Sequence, residues 1–226
     1  MKKNRLAVTS LTAITLLSFS CGLFTSSKQT LVEKIDKIIK PLVEKIESDK
    51  KEEELTSEQV KKIFLNIQKN DDLSKDYRRQ FYSSLEYNKI RITSLIEILN
   101  KFDTNKDELK TLIRAIIDRG SIFVQNPLEI AVLDISKRKD DLINFNSKEK
   151  LNDIKNKLNK ILGMQQQWIK NIDKIIITYN DNKNLQEKIE DLKAYIKTTY
   201  ENTLKPDSNE IYDLMIEIGR ELQENL

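Results

Sequence analysis

Apolar residues recur every three or four positions along most of this 226-residue chain, and only four glycines and three prolines interrupt them. The longest such stripe runs through Leu151, Ile154, Leu158, Ile161, Leu162, Trp168, Ile172, Ile175, Ile176 and Tyr179, behind a Ser147 that can cap a helix start. A pattern of this period hides its apolar residues only when helices pack face to face. The best strand candidate, Ile175-Ile176-Ile177-Thr178-Tyr179, lies inside the 3.6-residue pattern and does not compete. The expected fold is all-α, a compact bundle of about five to seven helices preceded by a tether.

Several helix boundaries can be read locally. Thr56-Ser57-Glu58-Gln59 has the form of a capping box and opens the expected domain, residues 56–226. One long helix is expected through Tyr77, Phe81, Leu85, Ile92, Leu95, Ile96 and Leu99, ended by Asp103 to Asn105. The next buries Leu109, Leu112, Ile113, Ile116 and Ile117 and should stop or bend at Gly120. Asn126-Pro127-Leu128-Glu129 reads as a fresh start, with an N-cap and a proline at the first helical position, for a helix from Leu128 to Phe145. Two helices, Leu185 to Leu204 and Asn209 to Leu226, complete the bundle, the second opened by Asp207 and Glu210.

The N-terminus has a different logic. Lys2, Lys3 and Arg5 precede an uncharged apolar run from Leu6 to Phe19, then Ser20 and the only cysteine of the chain, Cys21. This is the layout of a secretory signal with a small residue before the cut, and the apolar run is shorter than the roughly 20 residues of a membrane span. Residues 1–20 are therefore expected to be a cleaved signal peptide and Cys21 a lipidated first residue. Ser18 and Phe19 depart from the aliphatic and small residues usual before such a cysteine. Residues 21–55 are expected to form the tether, containing an amphipathic helix on Leu31, Val32, Ile35, Ile38, Ile39, Leu42, Val43 and Ile46 that Pro41 kinks or breaks. Ser48 to Glu54 offers nothing apolar to bury and reads as a solvated linker.

The cut changes the charge balance. It removes three basic residues and no acidic one, leaving 36 of each sign in a formally neutral body. No global positive charge remains to argue for nucleic acid. Contact with the membrane is expected through the N-terminal lipid only.

Chemistry is constrained by what is missing. The chain has no histidine, which removes the commonest general base and metal ligand. Its one thiol is assigned to lipid, and its glycines, at 22, 120, 163 and 219, form no phosphate loop. Asp103, Asn105 and Asp107 imitate the first ligands of a calcium loop, but Glu108 stands where glycine is needed and Arg114 where the bidentate glutamate is needed. No catalytic residues, cofactor or metal are expected.

Three features are candidates for binding. Arg78 and Arg79, beside Tyr77 and Tyr82, and Lys137-Arg138-Lys139 are basic clusters that could meet an anionic partner or merely solvate helix faces. Trp168 falls on the apolar stripe and is expected in the core or at an interface. In the last helix, Tyr212, Leu214, Met215 and Ile218 form part of a wide apolar face that either docks on its own bundle or pairs with a second copy as a homodimer.

The segment Arg78-Arg79-Gln80-Phe81-Tyr82-Ser83-Ser84-Leu85-Glu86-Tyr87, running into Ile90-Arg91-Ile92-Thr93-Ser94-Leu95-Ile96-Glu97-Ile98-Leu99-Asn100-Lys101, resembles the signature of the paralogous α-helical outer-surface lipoproteins of Lyme-disease borreliae, the CspA-like, complement regulator-acquiring surface protein family. The likeness extends more loosely from about residue 56 to the end. It implies a lipid-anchored helical protein on the bacterial outer membrane, exposed at the cell surface. It further implies immune evasion through a host serum protein, either a factor H-type regulator or a terminal complement component. The alternative is a structural or vector-stage surface protein or adhesin, binding plasminogen or glycosaminoglycan, without complement activity. The resemblance also implies pairing through the C-terminal helix, at Tyr212, Leu214, Met215 and Ile218.

Overall fold

The computed structural model describes residues 28–50, 71–102, 107–144, 147–205 and 209–223. Those residues form α-helices with short π- and 3-10-helical links, and no strand occurs among them. The helices are α1 (Lys28–Asp49), α2 (Asp71–Ser84), α3 (Lys89–Leu99), α4 (Asp107–Asp118), α5 (Asn126–Lys137), α6 (Lys148–Asp181), α7 (Lys183–Glu187), α8 (Ile189–Thr199) and α9 (Glu210–Gln223). The all-α expectation holds.

Helix α6 is the axis of the bundle. Ser147 caps it as expected, its hydroxyl accepting from the Glu149 and Lys150 amides, and Asn182 closes it. Its buried face of Leu151, Ile154, Leu158, Ile161, Trp168, Ile169, Ile172 and Ile175 gives α1, α3, α5 and α9 a common surface to pack on. Burying that stripe stabilises the bundle, at about 25 cal/mol for each Å² of apolar surface withdrawn from water.

Helix α1 corrects the tether expectation. It runs unbroken through Pro41 and buries Leu31, Val32, Ile35, Ile39 and Ile46 against α5 and α6. Pro41 lies on the exposed side, where the carbonyl it leaves unbonded can turn to water. Docking of the opposite face outweighs the local penalty. The expected linker from Ser48 to Glu54 is not all solvated either: Asp49, the last residue of α1, is buried, accepting from Ser83 Oγ at 2.6 Å and from Lys45 Nζ at 2.9 Å.

The helix expected from Tyr77 to Leu99 is two helices. The Tyr87 amide donates to Tyr82 and the Glu86 amide to Ser83, the pattern of a Schellman helix end. Glu86 and Tyr87 both take left-handed backbone angles, φ 60 and 52, where glycine is the usual occupant. Asn88 then restarts the chain by accepting from the Arg91 amide.

At Gly120 the chain neither stops nor restarts. A π-helical segment, Arg119–Gln125, joins α4 to α5, and Asn126 is helical rather than a cap. Pro127 has no amide to give, and a wider turn absorbs that mismatch; the Asn126 amide donates to Ser121 instead. The Asn126 side chain accepts from Gln80 across the bundle. The expected Leu128–Phe145 helix ends at Lys137, with a 3-10 turn at Asp141–Asn144. The expected Leu185–Leu204 helix divides at Lys188, whose extended backbone separates α7 from α8, and finishes in a π-helical segment, Tyr200–Leu204. The expected caps at Thr56 and Asp207 lie outside the described residues.

Candidate interaction surface

The C-terminal helix splits its apolar residues between two destinations. Ile211, Leu214, Ile218 and Leu222 are buried against α5 and α6, and Met215 is partly buried on the same core. Tyr212 and Ile216 point outward, 49% and 40% exposed. Of the four residues expected to pair with a second copy, Leu214 and Ile218 are spent inside the subunit and only Tyr212 is well exposed.

Polar contacts clamp the same helix. Lys157 Nζ on α6 meets Asp153 at 2.7 Å and Glu217 at 3.3 Å, and also pairs with Glu221. Lys160 pairs with Glu210, and Arg138 donates to the Leu222 carbonyl at 2.9 Å. Burial pulls the Lys157 ammonium down, but its bonds to Asp153 and Glu221 outweigh that and hold it above the usual lysine value. Burial raises Glu221, whereas the bond from Lys157 lowers Asp153.

The basic clusters are largely committed to the fold. Arg79 is buried, its guanidinium forked onto Glu129 with two bonds of 2.9 Å and reaching Asp76 at 3.3 Å. It is not available to an anionic partner, because the Glu129 carboxylate already satisfies its fork. Arg78, one position earlier on α2, is half-buried. Arg138 holds the end of α9, and Lys139 pairs with Asp36 of α1 at 2.7 Å. Lys137, 74% exposed, is the member of its cluster that faces solvent.

Sequence reasoning did not single out the polar network beneath these residues. Gln125 donates to Glu129 and Gln165 to Gln125, continuing the Arg79 fork into the core between α2, α5 and α6. Trp168 is a core residue; its indole N–H donates to Ser84 at 3.2 Å. Tyr77 donates to Asp118, and burial followed by the Asp118 carboxylate raises its phenol.

Away from α9, the two most exposed large apolar residues, Ile90 and Ile177, stand beside the residues of a second fork. Arg91 pairs with Asp173 through bonds of 2.7 and 3.0 Å and donates to the Leu85 carbonyl. Ile90 precedes Arg91 and Ile177 follows Asp173 by one turn of α6; they are 72% and 54% exposed. Ile90 and Arg91 lie in the segment that carried the family resemblance, and Ile90 stands off the apolar stripe through Leu85, Ile92 and Leu95.

A groove of about 170 Å³ between α4 and α8 has Leu109, Leu112 and Tyr200 in its lining. Glu108 spans it to Lys193 and Lys197 at 3.5 and 3.0 Å, and the Lys197 bond, then the charge of Lys193, lowers the Glu108 carboxyl. Asp107 opens α4 as a helix-start residue; Asp103 and Asn105 lie outside the described residues, as does Cys21. Among the described residues no three acidic, histidine or cysteine side chains gather to hold a metal. No described helix is long and apolar enough to cross a membrane.

A family model described as Borrelia Bbcrasp-1 domain containing protein matches residues 42–220. The chain belongs to that family. Solved structures place it in company of the same kind. It is similar to the Lyme disease associated outer surface protein BBA65 of Borrelia burgdorferi, at 25% identity and a TM-score of 0.72 over 84% of this chain and 100% of that one. The outer surface lipoprotein BBA64 of Borrelia burgdorferi shares the fold at 21% identity and a TM-score of 0.73, over 88% of this chain and 96% of that one. The BBA64 orthologue of Borrelia spielmanii does so at 22% identity and a TM-score of 0.71, over the same shares. A comparison with curated proteins gave no match. The Bbcrasp-1 domain thus begins in this chain within α1, in the stretch expected to be tether. BBA65 and BBA64 are described as outer surface proteins of Borrelia burgdorferi.

Proposed function

We propose that the protein is an outer-surface lipoprotein, anchored through Cys21, whose helical body binds a host serum protein of the complement system. The observation that carries this reading is the family match over residues 42–220, together with solved relatives described as outer surface proteins and an N-terminus patterned as a signal ending in a cysteine. Binding rather than catalysis fits a chain without histidine, whose buried polar groups are spent on one another. Ile90 and Ile177 beside the Arg91–Asp173 fork offer a mixed apolar and polar surface of the overall composition that protein interfaces have.

The test uses purified residues 28–226, which keep α1 intact. They are offered to human serum and, separately, to factor H, C7, C8 and C9 on a sensor surface. Retention of a complement component and protection of serum-exposed cells that display the protein are the expected results. No binding and no protection sink the complement reading. Protease treatment of intact cells decides the surface location first, since a periplasm-facing chain would survive it.

A further inference from the structure

Because α1 is docked into the core, the anchor can reach only one end of the body. This inference rests on the reading of Cys21 as the lipidated first residue. Six residues, Gly22–Ser27, separate Cys21 from the start of α1. Such a chain spans at most about 25 Å, at roughly 3.5 Å per residue when fully extended. With residues 21–55 as free tether the reach would have been about 120 Å, and the body could have presented any side.

Contacts along α1 define which end is held. Asp36, in its third turn, pairs with Lys139, shortly before α6 begins. Asp49, its last residue, accepts from Ser83, and the Asp49 carbonyl accepts from Tyr87 at 3.0 Å. The neighbouring Glu86 accepts from Gln166, halfway along α6. Helices α1 and α6 therefore run in the same direction. The end near the anchor carries Lys137, the Asp141–Asn144 turn and the start of α6, joined by the last turn of α9 through the Arg138 bond to Leu222. From Lys148 to Ile177, α6 rises about 43 Å at 1.5 Å per residue. That rise carries the Arg91–Asp173 fork, Ile90 and Ile177 to the opposite end.

We propose that the bundle stands on the bilayer with the Lys137 end against the lipid headgroups, leaving the Ile90 and Ile177 end as the face that partners meet. The short tether keeps the start of α1 within about 25 Å of the bilayer, and the arrangement needs no affinity of the protein surface for lipid. Tyr212 and Ile216 lie beside the Lys157–Lys160 stretch of α6, so they belong to the half near the membrane.

The single native cysteine makes a direct test available. The full chain, expressed in a lipidating bacterium, is purified as wild type, Lys137→Cys and Ile177→Cys, labelled with a thiol-reactive fluorophore and placed in phosphatidylcholine–phosphatidylglycerol vesicles carrying a nitroxide on the headgroup. Several-fold stronger quenching at position 137 than at 177 is the expected result. Equal quenching, as for a body lying flat, or the reverse order overturns the orientation. Wild-type protein that takes up label at Cys21, or fails to float with the vesicles, overturns the anchor reading instead, so the two failures are distinct. Lys148→Cys and Ile90→Cys repeat the comparison should either first variant lose its helical circular dichroism.

Discussion

Arg79 and Glu129, fifty positions apart, meet inside the bundle as a two-pronged ion pair, both prongs 2.9 Å long. The pair ties α2 to α5, and Gln125 and Gln165 extend it to α6. Burial alone would lower the Arg79 pKa; the Glu129 carboxylate reverses this and raises it. Removing Glu129 strands a cation in the core, so Glu129→Ala should cost about 3–5 kcal/mol in urea denaturation. The double replacement Arg79→Met with Glu129→Leu should recover most of that loss. A double variant no more stable than Glu129→Ala would show that the pair does more than satisfy itself.

Gly120 is required by close approach rather than by a turn. A Cβ there would stand 2.8 Å from Ser84 Oγ, 2.9 Å from Trp168 Cζ2 and 3.0 Å from Phe81 Cδ2. Gly120→Ala should therefore destabilise by about 1–3 kcal/mol, the usual penalty of overpacking. Emission from Trp168, the only tryptophan, should shift with it. Gly163→Ala, at a helix surface with nothing within 4 Å, is the control and should be neutral or slightly stabilising.

Tyr77 makes alkaline stability a readable quantity. Its phenol ionises well above the ordinary value of 10.0 in the folded chain, because burial and the Asp118 carboxylate oppose the phenolate. A group with a raised folded value contributes stability that is complete below its unfolded pKa and declines as pH rises toward the folded one. Stability should fall above pH 10 by up to about 1.4 kcal/mol per pH unit from this residue. Tyr77→Phe should be less stable at pH 8 but show a shallower decline between pH 10 and 11 in chemical denaturation. Parallel declines would contradict the assignment.

Lys157 holds the C-terminal helix by standing among Asp153, Glu217 and Glu221. Lys157→Met leaves three carboxylates facing one another and should weaken docking of α9 by about 1–2 kcal/mol, discounted for the partial exposure of Asp153 and Glu217. Hydrogen exchange in residues 210–223 should accelerate, with the Arg79–Glu129 region unaffected. Uniform acceleration would mean that α9 is part of one cooperative unit.

The apolar period and the Ser147 cap determined that the chain is all-α, where the long α6 begins, and that Trp168 belongs to its apolar stripe. These are local matters: a 3.6-residue stripe and a Ser147 cap act within a few residues of themselves. The family, too, was legible in the Arg78–Lys101 segment. The tertiary structure decided the rest. Pro41 and the polar, charge-rich stretch from Ser48 to Glu54 argued for a tether, yet α1 is core, because the apolar face opposite Pro41 finds α5 and α6 to pack on. No glycine marks the break after Leu85; Glu86 and Tyr87 hold left-handed angles because Arg91, Gln166 and the Asp49 carbonyl bind their side chains from elsewhere in the chain. The basic clusters looked alike in sequence, but Arg79 found Glu129 and Lys139 found Asp36, while Lys137 stayed in water. A residue's type sets what it can bind; whether that capacity is already used depends on partners brought from distant parts of the chain, and only the fold supplies those.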